Sequence, residues 1–345
     1  MIVCIAEDRR GCQTSLKLLL LSISQHSPGL DIELFYPPAD AGFRKWLRTH
    51  INYGNISLNV KPLDGISWNV KPHALLAVFE NGHKDILWID SDIILARDIR
   101  PIFNKLDSAT MVVTEEALSG NREDKDAQRA RLWGFEVGRT LPFVANSSVI
   151  RVTGVHVPLL KKWRTLLECE QYRAAQSLRG VEPPMHMFGD QDVLTALLTS
   201  RDFSYIPIQF LTRGGGIMQY FGPYGYTLTE RIQNILFGLP PFIHSQAWKP
   251  WAAVGKQGMR EQGRSNLRGR FNALYLECSP YSILALRYKN RLEEDSRWMS
   301  PTSSLGALFR KLGLGRPSLT GLPLAAVADL YRLGKWFSRI KPLRN

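Results

Sequence analysis

Asp85-Ile86-Leu87-Trp88-Ile89-Asp90-Ser91-Asp92-Ile93-Ile94-Leu95 (DILWIDSDIIL) sets two carboxylates into an otherwise apolar run. Left unpaired in a core, each ionised carboxylate would cost on the order of several kcal/mol. Residues 86–89 read as a buried strand. Asp90 and Asp92 then stand where that strand leaves the core, so either a compensating charge meets them there or the strand delivers them to a cleft.

The residues upstream repeat one pattern. Residues 2–6 are a short apolar strand, 7–11 its loop, and a helical run continues to about Gln25 before Ser27-Pro28-Gly29. A strand over 32–36 ends at Pro37-Pro38. A helix around 42–50, a strand near 56–61 and a helix over 71–81, closed by Asn81-Gly82, follow. This alternation predicts an α/β domain with a mostly parallel central sheet flanked by helices. In such sheets ligands bind beyond the carboxyl ends of the strands, which is where Asp90 and Asp92 fall.

Downstream the pattern is less regular. Strands are expected over 110–114, 143–150 and 204–208, and helices over 156–172 and 191–199. Leu159, Leu160, Trp163, Leu166 and Leu167 lie on one face of the first of these helices. Segment 119–131 is charged and reads as a loop or an exposed helix. The chain divides into a main domain, 1–255, a charged extension, 256–300, and a helical basic tail, 301–345.

The net charge of +13 over 345 residues favours an anionic partner such as a phosphorylated substrate, nucleic acid or lipid headgroups. No helix-turn-helix, RNP or zinc pattern appears, so nucleic acid is not expected. The tail carries eight Lys/Arg against one acid, Asp329, a net of +7, interleaved with leucines and aromatics. It reads as a basic amphipathic segment on anionic lipid, as a helical pair docked on the domain, or as a disordered tail. Four scattered cysteines, with no CxxC pair, fit a reducing compartment. The opening residues have no signal-peptide pattern, and Leu16–Leu21 is too short to span a bilayer. The expected location is cytoplasmic, with the tail raising a peripheral place on the inner face of the cytoplasmic membrane.

Five constellations carry chemistry. Asp90-Ser91-Asp92 at a strand end suits a hard divalent cation, Mn²⁺ or Mg²⁺, that also takes phosphate oxygens; a turn or helix cap is the plainer reading. In Phe242-Ile243-His244-Ser245-Gln246-Ala247-Trp248-Lys249-Pro250-Trp251, His244 offers a nitrogen ligand and Lys249 a point charge for phosphate; taken alone, a satisfied histidine in an aromatic-rich loop is the plainer reading. Asn146, Ser147 and Ser148 can hydrogen-bond sugar hydroxyls or simply face water from an edge. In Gly189-Asp190-Gln191-Asp192, Asp190 can serve a ligand or cap a helix. In Trp68-Asn69-Val70-Lys71-Pro72-His73, Lys71 sits in a helical first turn, and His73 reads as a helix-surface histidine.

The order of these motifs resembles the GT-A glycosyltransferases of the family 8 type, which include bacterial lipooligosaccharide galactosyltransferases and glycogenins. The resemblance spans roughly residues 1–251 and rests most on WIDSD, DQDV and the H-x₄-KPW ending. Ser148 and the Ala247-Trp248 pair depart from glycines common in the family, and bear on the sugar pocket rather than on metal or phosphate ligands. The resemblance implies a GT-A nucleotide-diphospho-sugar transferase fold and a retaining, metal-dependent hexosyl transfer. The donor would be a UDP-sugar, and the acceptor a saccharide or lipid-linked acceptor in cell-surface polysaccharide or lipopolysaccharide synthesis. It implies Asp90, Asp92 and His244 as metal ligands, Lys249 at the leaving diphosphate, and Lys71 near the phosphate or the donor sugar. Ala6, Glu7, Asp8 and Ser91 would lie on the nucleotide side. Asn146, Asp190 and Gln191 would lie at the donor sugar, with Asp190 and Gln191 the catalytic candidates by position and a front-face reaction without a covalent intermediate equally open. A nucleotidyltransferase acting on a sugar phosphate, or a non-catalytic basic membrane- or nucleic-acid-binding protein, remain the alternatives.

Overall fold

A computed structural model describes the chain except for residues 52, 66–68, 117–123, 179, 221–224, 247–248, 252–266, 295, 302 and 340–345. Trp68, Ala247, Trp248 and the first part of segment 119–131 therefore lie outside the described residues. In chain order the elements begin β1 (Ile2–Ala6), α1 (Gln13–His26), β2 (Ile32–Phe35), α2 (Ala41–His50), β3 (Ile56–Asn59) and α3 (Val70–Glu80). They continue with β4 (Asp85–Ile89), β5 (Ile93–Leu95), α4 (Arg100–Phe103), β6 (Met111–Glu115), α5 (Asp124–Leu132) and β7 (Ala145–Thr153). Next come α6 (Val157–Glu168), α7 (Glu170–Ser177), α8 (Asp190–Thr199), β8 (Ile208–Leu211), β9 (Ile217–Gln219), α9 (Leu228–Phe237) and β10 (Phe242–His244). Later helices include Leu267–Glu277, Pro280–Ala285, Ser304–Leu312 and Leu322–Arg339.

The chain folds as two compact units. The first comprises residues 1–13, 27–91 and 99–213, the second 14–26, 92–98 and 214–345. The first unit holds a sheet of seven strands among the described residues, in the order β3-β2-β1-β4-β7-β6-β8. β1, β2, β3 and β4 run parallel, and β7 runs antiparallel to both β4 and β6. The expected mostly parallel α/β sheet is therefore present. β1 and β4 are neighbours although the chain leaves β1 in the opposite direction, toward β2. The sheet order reverses at this pair, which is where an open α/β sheet forms its ligand crevice. Because β7 is antiparallel, its first residues, Ala145–Ser147, lie at the carboxyl end of β4, and Asp90 N donates to Ser148 O at 2.8 Å.

Helix α3 packs on β1, β4 and α6, and is buried on nearly all sides: Val70, Lys71, Pro72, His73, Ala74, Leu75, Leu76 and Val78 are all buried. His73 is thus not the surface histidine expected. Its Nε2 stands 3.1 Å from Glu168 Oε1, and burial, more than the neighbouring charges, pulls its pKa down. The core joins Trp88, Ile150, Val152, Trp163, Leu194 and Leu197 across sheet and helices.

Two expectations need correcting. The helix expected over 156–172 is two helices, because Cys169 turns extended (φ −65°, ψ 151°) and its Sγ accepts from Tyr172 N to start the second. The strand expected over 204–208 begins only at Ile208, where pairing with Met111 starts; Ser204–Ile206 instead closes a turn whose Tyr205 is exposed.

The second unit has its own sheet, of three strands among the described residues, β5-β10-β9, with β10 antiparallel to β5 and parallel to β9. These short strands have no sequence signature of their own, since three residues are too few for a period to show. α1 is buried along Leu16–Leu21. Its Lys17 is neutralised by Glu294 at 2.8 Å and donates to Leu292 O. Part of the tail is docked here: Leu324, Ala325 and Ala328 are buried, and Arg231 Nη1 donates to Thr320 O at 2.6 Å.

Candidate functional site

At the carboxyl end of β1, Glu7 is buried and organises the loop behind it. Its Oε1 accepts from Arg9 N at 3.0 Å and Arg9 Nε at 2.7 Å; its Oε2 accepts from Ser91 Oγ at 2.5 Å. Ala6 ends the strand and Asp8 is exposed beside them. The residue after β1 is thus tied to the middle of the Asp-Ser-Asp segment across the order reversal of the sheet.

Lys71 is the charge centre of the first unit. It is 5% exposed, carried by the first turn of α3, and its Nζ lies 3.2 Å from both Asp90 Oδ1 and Asp190 Oδ2. It also donates to Ser147 Oγ at 2.6 Å and to Ser147 O at 3.2 Å. Burial lowers the lysine's pKa, but Asp190 and Asp90 outweigh it and hold the ammonium above its ordinary 10.5. Asp90 is further held by Trp88 Nε1 at 2.7 Å. Here lies the local half of the compensation that two carboxylates in an apolar run require.

Asp190 does not cap α8. The cap position is Gly189, which has no side chain to offer, and Asp190 is the first helical residue. Its Oδ2 accepts from Ser147 Oγ at 2.8 Å and pairs with Lys71, while the helix N-terminus favours its charge. Asn146 and Gln191 meet beside it: Asn146 Nδ2 donates to Gln191 Oε1 at 3.0 Å.

Two further residues join this cluster without having been singled out in the sequence. Glu116, just past β6 and buried, accepts through a single oxygen from Asn146 Nδ2 at 2.7 Å and Gln191 Nε2 at 2.8 Å. Both ends of the Gln191 amide are therefore fixed. Arg129 of α5 donates Nε to Asp192 Oδ1 at 2.8 Å, both side chains buried. Burial raises the Asp192 carboxyl to about 6, with Asp190 and Glu116 adding to the rise and Arg129 opposing it. The available signals were weak: Glu116 follows a strand and Arg129 lies in a charged segment, features shared by many surface residues.

The second unit gathers the other expected residues. Asp92 immediately precedes β5, and Ser245 N donates to its carbonyl at 3.0 Å. The Asp92 carboxylate receives His244 Nε2 at 3.3 Å and Lys249 Nζ, and Lys249 also donates to Ser245 O at 3.0 Å. Burial would raise the Asp92 pKa; the Lys249 and His244 charges override it and hold the carboxyl well below the usual range. His244 is buried, and its Nδ1 has no hydrogen-bond partner among the described residues. The chain itself joins this cluster to that of the first unit, since Asp90 and Asp92 flank a single serine.

No protein-family model matches the sequence, and no curated protein matches it. Several solved structures are similar. The galactosyltransferase LgtC in complex with donor and acceptor sugar analogues is 13% identical over 84% of this chain and 100% of that chain, with a TM-score of 0.46. The glycosyltransferase GlyE of Streptococcus pneumoniae TIGR4 is 15% identical over 86% of this chain and 65% of that one, with a TM-score of 0.45. The bifunctional glycosyltransferase WbbM in its apo form is 15% identical over 73% of this chain, TM-score 0.45, and this chain spans 46% of its length.

Proposed function

We propose that the protein is a GT-A-type glycosyltransferase that moves a hexose, with retention, from a UDP-sugar to a saccharide or lipid-linked acceptor. Residues 1–255 form its catalytic part. The observation that carries this reading is the cluster of Lys71, Asp90, Asn146, Ser147, Asp190 and Gln191 at the carboxyl edge of β4, beside the reversal of strand order. A cation flanked by carboxylates and amides suits a reaction that leaves negative charge on a departing diphosphate and positive character on an anomeric carbon.

In this reading Asp90, Asp92 and His244 hold a divalent ion. The donor set fits: two carboxylates one residue apart and one imidazole suit Mn²⁺, with Mg²⁺ the second choice. His244 is buried, and Asp92 already attracts two positively polarised neighbours. The bound ion would supply Lewis-acid stabilisation of the diphosphate. The chain's own residues do the rest. Lys249 and Lys71 offset negative charge on the phosphates. Ala6, Glu7, Asp8 and Ser91 line the nucleotide side, with Glu7 fixing the loop through Arg9 and Ser91. Asn146, Asp190 and Gln191 face the donor sugar, and Gln191 presents an amide whose plane Glu116 and Asn146 set. A role in cell-surface polysaccharide or lipopolysaccharide assembly, at the inner face of a membrane, is the finer form of the same reading.

Calorimetric titration of UDP with and without Mn²⁺, on the wild type and on Asp92→Ala, tests it. Mn²⁺ should tighten UDP binding by about tenfold or more in the wild type and not in the variant. Metal-independent binding in both would remove Asp92 from the site. Release of pyrophosphate rather than UDP on turnover would move the chain to nucleotidyl transfer.

Glu116 separates positioning from charge. Because one oxygen accepts both amides, Glu116→Gln can keep both hydrogen bonds while losing the charge. Glu116→Ala should lower kcat by roughly 10²-fold through a misplaced Gln191, and Glu116→Gln should stay within about tenfold of wild type. Equal losses in the two variants would instead give the carboxylate charge itself the role.

A further inference from the structure

Asp92, His244 and Lys249 all belong to the second unit, and its sheet brings them together. β5 and β10 pair antiparallel with His244 opposite Ile93, so the carboxylate just before β5 meets the imidazole that ends β10. His244 Nε2 lies 3.3 Å from Asp92 Oδ1. The ammonium of Lys249 stands on Oδ2, the other oxygen of the same carboxylate. His244 is buried and the Asp92 side chain is 13% exposed, so water screens these contacts little. Two of the three residues assigned above to a divalent ion thus face each other with a cation of the chain already on one of them.

The lysine is built into this place. Its Nζ also donates to Ser245 O at 3.0 Å and lies 5.9 Å from the centroid of the Trp251 ring. Ser245 is itself tied back, its N–H donating to the Asp92 carbonyl at 3.0 Å. Trp251, two residues beyond Lys249, is buried against Tyr281 at 5.4 Å and edge-on to Trp298 at 6.4 Å, both buried as well. Tyr281 lies on helix Pro280–Ala285 and Trp298 in the turn Arg297–Met299. Part of the charged extension, 256–300, therefore anchors the backbone that carries Lys249. A carboxylate, a carbonyl and an aromatic face hold the ammonium together, where a lone surface lysine would hold one geometry for little gain.

We propose that Lys249 is the built-in counter-cation of this site and has to leave Asp92 for a divalent ion to bind there. An ion held by Asp92 Oδ1 and His244 Nε2 would share one carboxylate group with the ammonium, and two cations that close repel each other. Lys249 ends a flexible four-carbon stem, so it can swing away while Trp251 keeps the backbone in place. The affinity of the site for metal then depends on what receives the lysine. Phosphate oxygens arriving with the ion are such a receiver, so ion and nucleoside diphosphate favour each other's binding by the same factor. The exchange itself rests on Asp92, His244 and Lys249; phosphate as the destination rests on the transferase reading above.

The test is titration of the full chain with Mn²⁺ alone, followed by the electron paramagnetic resonance signal of the free ion, for the wild type, Lys249→Met and Lys249→Arg. Lys249→Met should bind Mn²⁺ about fivefold or more tighter than the wild type, and Lys249→Arg, which keeps a cation, should stay near it. Adding Asp92→Ala to Lys249→Met should abolish the gain, which places the ion on that carboxylate. Lys249→Gln is the second neutral variant should Lys249→Met melt early. At saturating Mn²⁺, UDP should bind Lys249→Met more weakly, so one substitution moves the two affinities in opposite directions. Mn²⁺ affinity unchanged in the neutral variants would overturn the proposal and leave Lys249 a phosphate ligand only. A reduced affinity would overturn it too, making the lysine a structural support for Asp92. Tighter Mn²⁺ binding in the variant beside no UDP binding by the wild type would keep the exchange and remove the transferase reading.

Discussion

Lys71→Met should lose both turnover and stability. The side chain is 5% exposed and faces Asp90 and Asp190 at 3.2 Å each. Methionine fills the volume but leaves two carboxylates without their cation, and breaking a buried pair in this way costs about 3–5 kcal/mol. The same substitution removes a positive charge that would stabilise the departing diphosphate, a term of roughly 10²–10³-fold in kcat. The pKa of Lys71 is raised in the folded state, so its contribution is complete below its ordinary 10.5 and fades only as pH climbs through the higher folded value. The stability loss should therefore be constant across neutral pH. Thermal unfolding and initial rates check the two effects, and Lys71→Met/Asp190→Asn should recover stability without recovering rate. A destabilised variant with wild-type turnover would make Lys71 purely structural.

Arg129→Ala should be costly at pH 8 and much less so at pH 5. The raised carboxyl of Asp192, at about 6, means the folded chain holds this proton more tightly than the unfolded chain does. The folded state therefore loses stability as pH rises from the ordinary carboxylate range through about 6, and Arg129 limits that loss. Without the guanidinium, the buried ionised carboxylate is uncompensated, at about 3–5 kcal/mol. At pH 5 it is protonated and most of that cost disappears. The charged and titratable groups that shape this environment are Asp190, Glu116 and Arg129 itself. Unfolding of wild type and variant at several pH values gives the difference directly, and a difference that does not narrow toward pH 5 would show that Asp192 is not the group involved. Since Asp192 lies one residue beyond Gln191 on α8, turnover should fall with the pair broken even where the fold persists.

How much of this was legible before the tertiary structure follows from the range of each interaction. The strand–helix alternation of residues 2–89 lies in local periodicity, and each element there matches its expected position within a residue or two. The exit of Asp90 and Asp92 from a buried strand was equally local, because a run of apolar residues ending in two carboxylates has few other solutions. The burial of His73 has no such local signal, because burial of α3 on nearly all sides is a property of the sheet and of α6, not of the helix's own sequence.

Local periodicity dictates an α/β sheet and a set of polar residues placed at strand ends and helix starts. Which of them meet depends on long-range packing. Glu116 is 75 residues from Gln191, and Arg129 is 63 from Asp192. No periodicity spans such distances. Their pairing is set by the antiparallel β7 and by α5 packing on α8, which bring the end of β6 and one face of a charged helix to the start of α8. The same holds for α9, whose composition fits any surface helix. Its direction was decided by Arg231, which finds backbone acceptors from 86 to 89 residues further along the chain. A buried guanidinium must take hydrogen-bond partners where the fold supplies them, and in doing so it turns the apolar side of its helix outward.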